Sequence, residues 1–411
     1  MFQSMDFIPL ISWLIFLIYL GVESYGCQRR IKKIPNRIAV SGIRGKSSLT
    51  RLIACGLRAG GFRVMAKTTG SRPVLIYPDG REEEIRRRGP ASILEQKKLV
   101  ARAAAEQADF LVSEMMSIQP ECLKAEGRYL LQPGVLVLSN FRVDHTEFLG
   151  RDREDVARKM MAAVPTGTLV FLPEEELRPW MQSLARNKGF ELRVVGGSPE
   201  TASLAEILPY PEFEPNLRLA LAVLEYLGIT AAQARSGWSG LNPDYGRPRA
   251  WKIKYSKNRF FYFVSLFAAN DPESSLLALE FVTHRMGWQE NPKIGLLSLR
   301  ADRGDRTAQW ADFLKSGKVN FLESLLLTGP GARALRLKIK KSFATADREV
   351  QLICARRPDD SLDEIIRMVK ECQKARPDSG SDCLVFGLGN IGGFGCQLID
   401  YLERTADAVR I

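Results

Sequence analysis

The stretch RIAVSGIRGKSSLTRLIACGLRAGG, residues 37–61, decides the fold. Its first five residues suit a buried strand, and the pattern from Lys46 to Arg58 is helical and stops at Gly60-Gly61. Between them Ser41-Gly42-Ile43-Arg44-Gly45-Lys46-Ser47-Ser48 stands where a phosphate loop belongs. Glycines let the backbone wrap an anion, and a helix N-terminus aims free N–H groups and partial positive charge at it. Lys46 is placed to reach the β- and γ-phosphates, and Ser47 or Ser48 to hold Mg2+. The longer GxxxxGK[ST] spacing needs glycine where Val40 stands, so this is a shortened GxxGKS form. Lys46 reads as an exposed loop residue whose loss leaves the fold intact.

Outward from the loop, apolar runs at residues 109–114, 134–140, 168–172 and 192–195 read as strands, with helical patterns at 92–107 and 154–163. Such alternation predicts a largely parallel, helix-covered sheet with ligands at the carboxyl ends of its strands. Glu114 stands at one strand exit, and Asp144-His145 follow another, both toward the loop's crevice. Mg2+ prefers oxygen donors, which ranks Glu114 and Ser47 above His145 as ligands. The turn-rich NPDYGRP at 242–248 marks a domain boundary. A second set of strands follows at 261–267, 293–299, 323–329, 350–355 and 383–389, with helical patterns at 273–285, 307–315 and 361–374. The expected fold is α/β: an N-terminal membrane helix (1–30), a central P-loop NTPase-like parallel-sheet domain (31–245) and a C-terminal Rossmann-like α/β domain (246–411).

Gly387, Gly389 and Gly392 spell GxGxxG after a strand, but only 19 residues follow Gly392, too few for a dinucleotide-binding unit. A tight glycine turn before the last helix is the expectation there.

FIPLISWLIFLIYLGV at residues 7–22 is uncharged, with Asp6 before it and Arg29, Arg30, Lys32, Lys33 and Arg37 after it. That asymmetry predicts a single N-terminal anchor at the cell membrane with the catalytic part cytoplasmic. The 411 residues hold 59 Lys+Arg and 47 Asp+Glu, giving 59 − 47 = +12. No aromatic-interleaved basic stripe accompanies the charge, so no nucleic acid is expected as a partner. Seven cysteines without CxxC spacing suit reduced thiols. With two histidines, a His-rich metal centre is excluded, and no Ser-His or Cys-His pair stands at a recognisable spacing.

SGIRGKSSLTRLI, KTTG at 67–70, SEMMSIQPE, SNFRVDHTEFLG, FAAND at 267–271, RADRGDRT at 300–307 and GLGNIGG at 387–393 occur in that order. Together they resemble the Mur ligase superfamily, most closely the PgsB/CapB family of ATP-binding subunits of poly-γ-glutamate synthase. The resemblance implies ATP and Mg2+ as cofactors. It further implies phosphorylation of a γ-carboxylate and attack on the acyl phosphate by the amine of an incoming glutamate. It assigns Gly42, Arg44, Gly45, Lys46, Ser47 and Ser48 to the triphosphate, and Ser47, Glu114 and His145 to Mg2+. Asn270, Asp271 and the Arg300, Asp302, Arg303, Asp305, Arg306 stretch would close over the nucleotide, with Asp302 or Asp305 on the ribose. Arg249 would neutralise the γ-phosphate. Implied partners are glutamate, the growing poly-γ-glutamate chain, the membrane, and small membrane subunits like PgsC/CapC and PgsA/CapA; a homo-oligomer is open. Many Mur ligases carry a carbamylated lysine after the DH motif. Lys159 stands one position off that register and reads as a solvated surface lysine. The alternatives are a Mur-type ligase for another acceptor, such as folate polyglutamate, and a membrane-bound P-loop ATPase or scaffold.

Overall fold

A computed structural model of the chain describes residues 7–70, 72–87, 89, 91–197, 208, 212–242, 244–257, 259–319, 321–343, 351–355, 358–375, 382–409 and 411. Asp6, Pro243 and Val350, used in the sequence reading, lie outside the described residues. The chain divides into two compact units, Met1–Asn242 and Pro243–Ile411.

The first unit is built on an eight-stranded sheet. Its strands are β1 (Asn36–Ser41), β2 (Val64–Thr68), β3 (Val74–Ile76), β4 (Glu82–Glu84), β5 (Phe110–Glu114), β6 (Val135–Leu138), β7 (Leu169–Pro173) and β8 (Glu191–Val195), in the order β4-β3-β2-β5-β1-β6-β7-β8. From β2 through β8 the pairs are parallel, and β3 and β4 extend the edge antiparallel. Neighbouring residues on one strand point to opposite faces, so the sheet has two cores. Ile38, Val40, Val112 and Val137 pack with helices Lys46–Ala59, Glu214–Tyr226 and Ala231–Trp238, where Leu49, Leu52, Leu217, Leu224 and Trp238 are buried. Ala39, Leu111 and Leu136 face helices Glu95–Ala105, Arg153–Ala162 and Met181–Lys188.

The N-terminal helix Phe7–Ile31 joins that second core at its far end, where Cys27 and Ile31 are buried. Glu23 pairs with Lys97 at 2.8 Å, and the Gln132 amide donates to Gln28 at 2.9 Å. Residues 9–22 of the helix are exposed, and residues Pro9–Ile31 are long and apolar enough to cross a membrane.

Among its described residues the second unit holds seven strands: β9 (Arg249–Ser256), β10 (Arg259–Ser265), β11 (Lys293–Ser298), β12 (Ser324–Thr328), β13 (Gln351–Ala355), β14 (Cys383–Gly389) and β15 (Asp407–Val409). Their order is β13-β12-β11-β14-β10-β9-β15, parallel except for β9, which runs antiparallel to β10 and β15. Both sheets are therefore largely parallel, as the strand–helix alternation predicts, and mixed through their antiparallel edges. β14 leads through a turn and helix Cys396–Thr405 to an antiparallel edge strand, not to the second parallel strand a dinucleotide unit uses.

Candidate functional site

β1 is central, and the chain crosses to its left for β2 and β5 and to its right for β6. Such a switch point opens a crevice at the carboxyl ends of the strands. Three segments leave there: Gly42–Gly45 after β1, the residues after Glu114 on β5, and Ser139–His145 after β6.

The loop is shaped by two glycines with positive φ, Gly42 at 126° and Gly45 at 80°. A Cβ on Gly42 would overlap the Ser139 hydroxyl, and one on Gly45 would stand 2.6 Å from Asn216 Oδ1. Asn216 is itself fixed by donating to Glu212 at 2.7 Å. The exit of β6 fastens the loop from the other side. Arg44 N–H donates to Asn140 Oδ1 at 3.2 Å, and the Arg44 carbonyl accepts from Ser139 Oγ at 2.5 Å and Asn140 Nδ2 at 3.0 Å. The Arg44 guanidinium pairs with buried Asp144 at 3.1 Å.

Lys46 opens the helix, and its Nζ donates to Gly42 O at 2.8 Å. It is half-buried, not the exposed loop residue expected from sequence. Burial lowers its pKa from the ordinary lysine value, against the opposing pull of the Glu114 carboxylate. The Ser47 hydroxyl donates to Glu114 Oε2 at 2.7 Å, and that oxygen also accepts from Thr69 N–H at 2.7 Å. Ser47 rather than Ser48 thus meets the carboxylate. Thr69 belongs to the KTTG segment after β2 and was not singled out as a site residue. Nothing short of the folded sheet brings it beside Glu114.

His145 sits in left-handed geometry, φ 52° and ψ 50°, with its N–H donating to Asp144 Oδ1 at 2.9 Å and its ring 3.7 Å from Asp144 Oδ2. Lys159 is not a free surface lysine: its ammonium donates to Phe148 O at 2.7 Å and ties its helix to the turn after His145. Among the described residues no three His, Cys, Asp or Glu side chains are grouped to hold a metal by themselves. The Ser47–Glu114 pair is an all-oxygen donor set, which suits a hard divalent cation that takes its other ligands from phosphate and water. The two glycines give the loop its positive-φ turns ahead of the helix N-terminus, where a phosphate would sit.

In the second unit the candidates gather at the carboxyl ends of β10, β11 and β14. Asn270 has φ 63° and ψ −52°, a strained conformation locked by three bonds. Its Nδ2 donates to Ala268 O at 2.8 Å, its Oδ1 accepts from Arg306 at 2.9 Å, and its carbonyl accepts from Trp310 Nε1 at 3.0 Å. Arg306 also donates to Asn390 Oδ1 at 2.9 Å, joining the FAAND turn to the GLGN turn. Asp271 is buried and caps helix Pro272–Met286 by accepting from Ser274 N–H at 2.9 Å. Arg300 grips Asp302 through bonds of 2.8 and 2.6 Å, which lower the Asp302 pKa, and Arg303 lies 3.3 Å from Asp305. Arg249 is ion-paired with Glu403 and donates to Tyr245 O at 3.0 Å.

The fold recurs in solved structures. Folylpolyglutamate synthase of Mycobacterium tuberculosis, complexed with ADP and AMPPCP, superposes with a TM-score of 0.64 at 15% identity, over 95% of this chain and 98% of that one. MurF of Acinetobacter baumannii gives 0.61 at 14% identity, over 93% and 80%. The fold is therefore that of the Mur ligases and folylpolyglutamate synthases. Residues 251–405 match the family described as the poly-gamma-glutamate synthase CapB C-terminal domain. Capsule biosynthesis protein CapB of Bacillus anthracis is 31% identical over 393 residues, 94% of this chain and 81% of that protein. PGA synthase CapB of Bacillus subtilis (strain 168) is 28% identical over 399 residues, 96% and 97% respectively. The chain belongs to the CapB family.

Proposed function

We propose that this chain is an ATP-dependent amide ligase that extends poly-γ-glutamate. The observation that carries the reading is the match to CapB proteins along nearly the whole chain, phosphate loop included. A γ-carboxylate oxygen attacks the γ-phosphorus of ATP and ADP leaves. The amine of the incoming glutamate then attacks the acyl carbon, inorganic phosphate leaves, and the nitrogen loses a proton. Such chemistry needs positioned phosphates and charge neutralisation rather than a protein nucleophile.

Gly42, Arg44, Gly45 and Ser48 line the phosphates with backbone and helix N-terminus, and Lys46 exchanges its bond to Gly42 O for the β- and γ-phosphates. Ser47, Glu114 and His145 would hold the cation, which we take to be Mg2+ and which would neutralise phosphate charge. The same reading gives Arg249 to the γ-phosphate, Asp302 or Asp305 to the ribose, and Asn270, Asp271, Arg300, Arg303 and Arg306 to the frame around the nucleotide. The helix Phe7–Ile31 anchors the chain in the membrane, where small partner subunits of a synthase complex would join it.

Phosphate release by membranes holding this chain and its partner subunits, with ATP and Mg2+, tests the reading. Stimulation by glutamate with an anionic polymer formed alongside is expected. Turnover indifferent to glutamate overturns it in favour of a nucleotide switch.

A further inference from the structure

Glu126 is fully buried beside the β5 exit, near enough for its charge to act on Lys46, and nothing in the ligase chemistry so far uses it. It opens a π-helical turn, Glu126–Leu131, a local irregularity that concentrates at functional sites. Its carboxylate makes three bonds. Oε1 accepts from Gln96 Nε2 at 2.5 Å and from Met116 N–H at 3.1 Å, and Oε2 accepts from Ser117 N–H at 3.0 Å. Gln96, also fully buried, donates to Glu114 O at 3.3 Å and accepts from Ser113 Oγ at 3.1 Å. Every residue from Ser113 to Ser117 except Met115 is therefore held by one of these two side chains. Met115 is held by its own N–H, which donates to Val40 O at 2.8 Å. Behind Gln96, Lys67 pairs with Glu95 at 3.2 Å, and Arg87 grips Glu95 through bonds of 2.7 and 3.1 Å.

We propose that Glu126 and Gln96 are positioning residues that set the backbone at Glu114, so that its carboxylate stands ready beside Ser47 for the divalent cation. The proposal rests on the cation-site reading of Ser47 and Glu114. Two buried polar groups with all their bonds made form a rigid support, and one missing bond would leave a buried donor unsatisfied. Groups that orient a metal ligand from behind typically change metal affinity ten- to a hundredfold when removed.

Full-length chain in detergent, bound to ADP, is titrated with Mn2+ and free Mn2+ is read by electron paramagnetic resonance. In Glu126→Gln the new amide faces the Ser117 N–H with its own donors, and in Gln96→Met the bonds to Glu114 O and Ser113 are lost. Each is expected to weaken Mn2+ binding roughly tenfold while leaving metal-free ADP affinity unchanged. A merely structural role would lower the thermal midpoint without separating those two affinities. Glu114→Gln is the reference. If it binds Mn2+ as the wild type does, the cation-site reading falls and the support with it. If it is impaired while both positioning variants bind normally, the support alone is overturned. Should the variants not fold, hydrogen exchange of the wild type decides. Protection of the Met116 and Ser117 amides equal to that of β5 upholds the proposal, and loop-like exchange overturns it.

Discussion

Gly42 combines a φ of 126° with a neighbour, Ser139, that leaves no room for a Cβ. Gly42→Ala is expected to cost about 1–3 kcal/mol of stability by strain and overlap. It should also abolish nucleotide binding, readable together by calorimetry and a fluorescent ADP analogue. Lys46→Ala differs in kind. It removes a bond to Gly42 O and a half-buried ammonium whose burial already disfavours its charged form. Turnover should vanish while the thermal midpoint moves little; a collapsed transition would show that the loop cannot hold its shape without the lysine. Glu95 answers to pH. Burial raises its pKa, but bonds from Arg87 and the Lys67 charge outweigh this and hold it below the ordinary value. A carboxyl depressed in the folded state stabilises fully above its unfolded pKa, about 4.3, and loses that contribution as pH falls through the lower folded value. Denaturant midpoints of wild type and Glu95→Gln should therefore differ at neutral pH and converge as pH falls below the unfolded value and through the lower folded one.

At the scale of elements, the helix Lys46–Ala59 that presents the phosphate loop is held by close contact with helix Ala231–Trp238. Trp238 Nε1 donates to Leu52 O at 2.9 Å, and a Cβ on Gly237 would stand 2.9 Å from both Cys55 O and Ala59 Cβ. Gly237→Ala has to push the helices apart against backbone, so a loss of about 1–3 kcal/mol is expected, measured as a lowered thermal midpoint. The strands legible in sequence, β1, β5, β6, β7 and the core of the second sheet, are continuous apolar runs because helices cover both their faces. Those missed lack that signature. β4 is Glu82-Glu83-Glu84 at an edge, β2 carries buried Lys67 inward to a half-buried carboxylate, and β15 is three residues long. The site was legible where chemistry and local order coincide, in GIRGKSS and Glu114. Thr69, Gln96, Glu126, Ser139 and Asn216 were not, since each is polar for a reason supplied by a strand or helix distant in sequence. Asn270, Asp271 and Arg306 are expected from sequence to close over a nucleotide, and the structure shows much of their bonding turned inward to fix two turns.

At the scale of the molecule, one helix has two environments. Phe7 and residues 9–22 are exposed in an apolar stretch, whereas Cys27 and Ile31 are buried in the first unit and Glu23 is paired with Lys97. The stretch from Phe7 to Val22 is roughly 24 Å long at 1.5 Å per residue, close to the hydrocarbon thickness of a bilayer. Arg29, Arg30, Lys32 and Lys33 are exposed just beyond it, where anionic headgroups favour them by about 1 kcal/mol each. On the proposed anchoring, the helix runs unbroken into the first unit, so that the sheet of this unit would be held at the membrane surface rather than tethered on a linker. Salt and carbonate washes should then leave the chain in the membrane fraction and detergent should release it. Deleting residues 1–22 removes the exposed stretch but keeps Glu23, Cys27 and Ile31, so the shortened chain should be soluble and still bind ADP. Release of the intact chain by carbonate alone would show that the apolar stretch does not cross the bilayer. Loss of ADP binding on deletion would show instead that the outer helix supports the sheet.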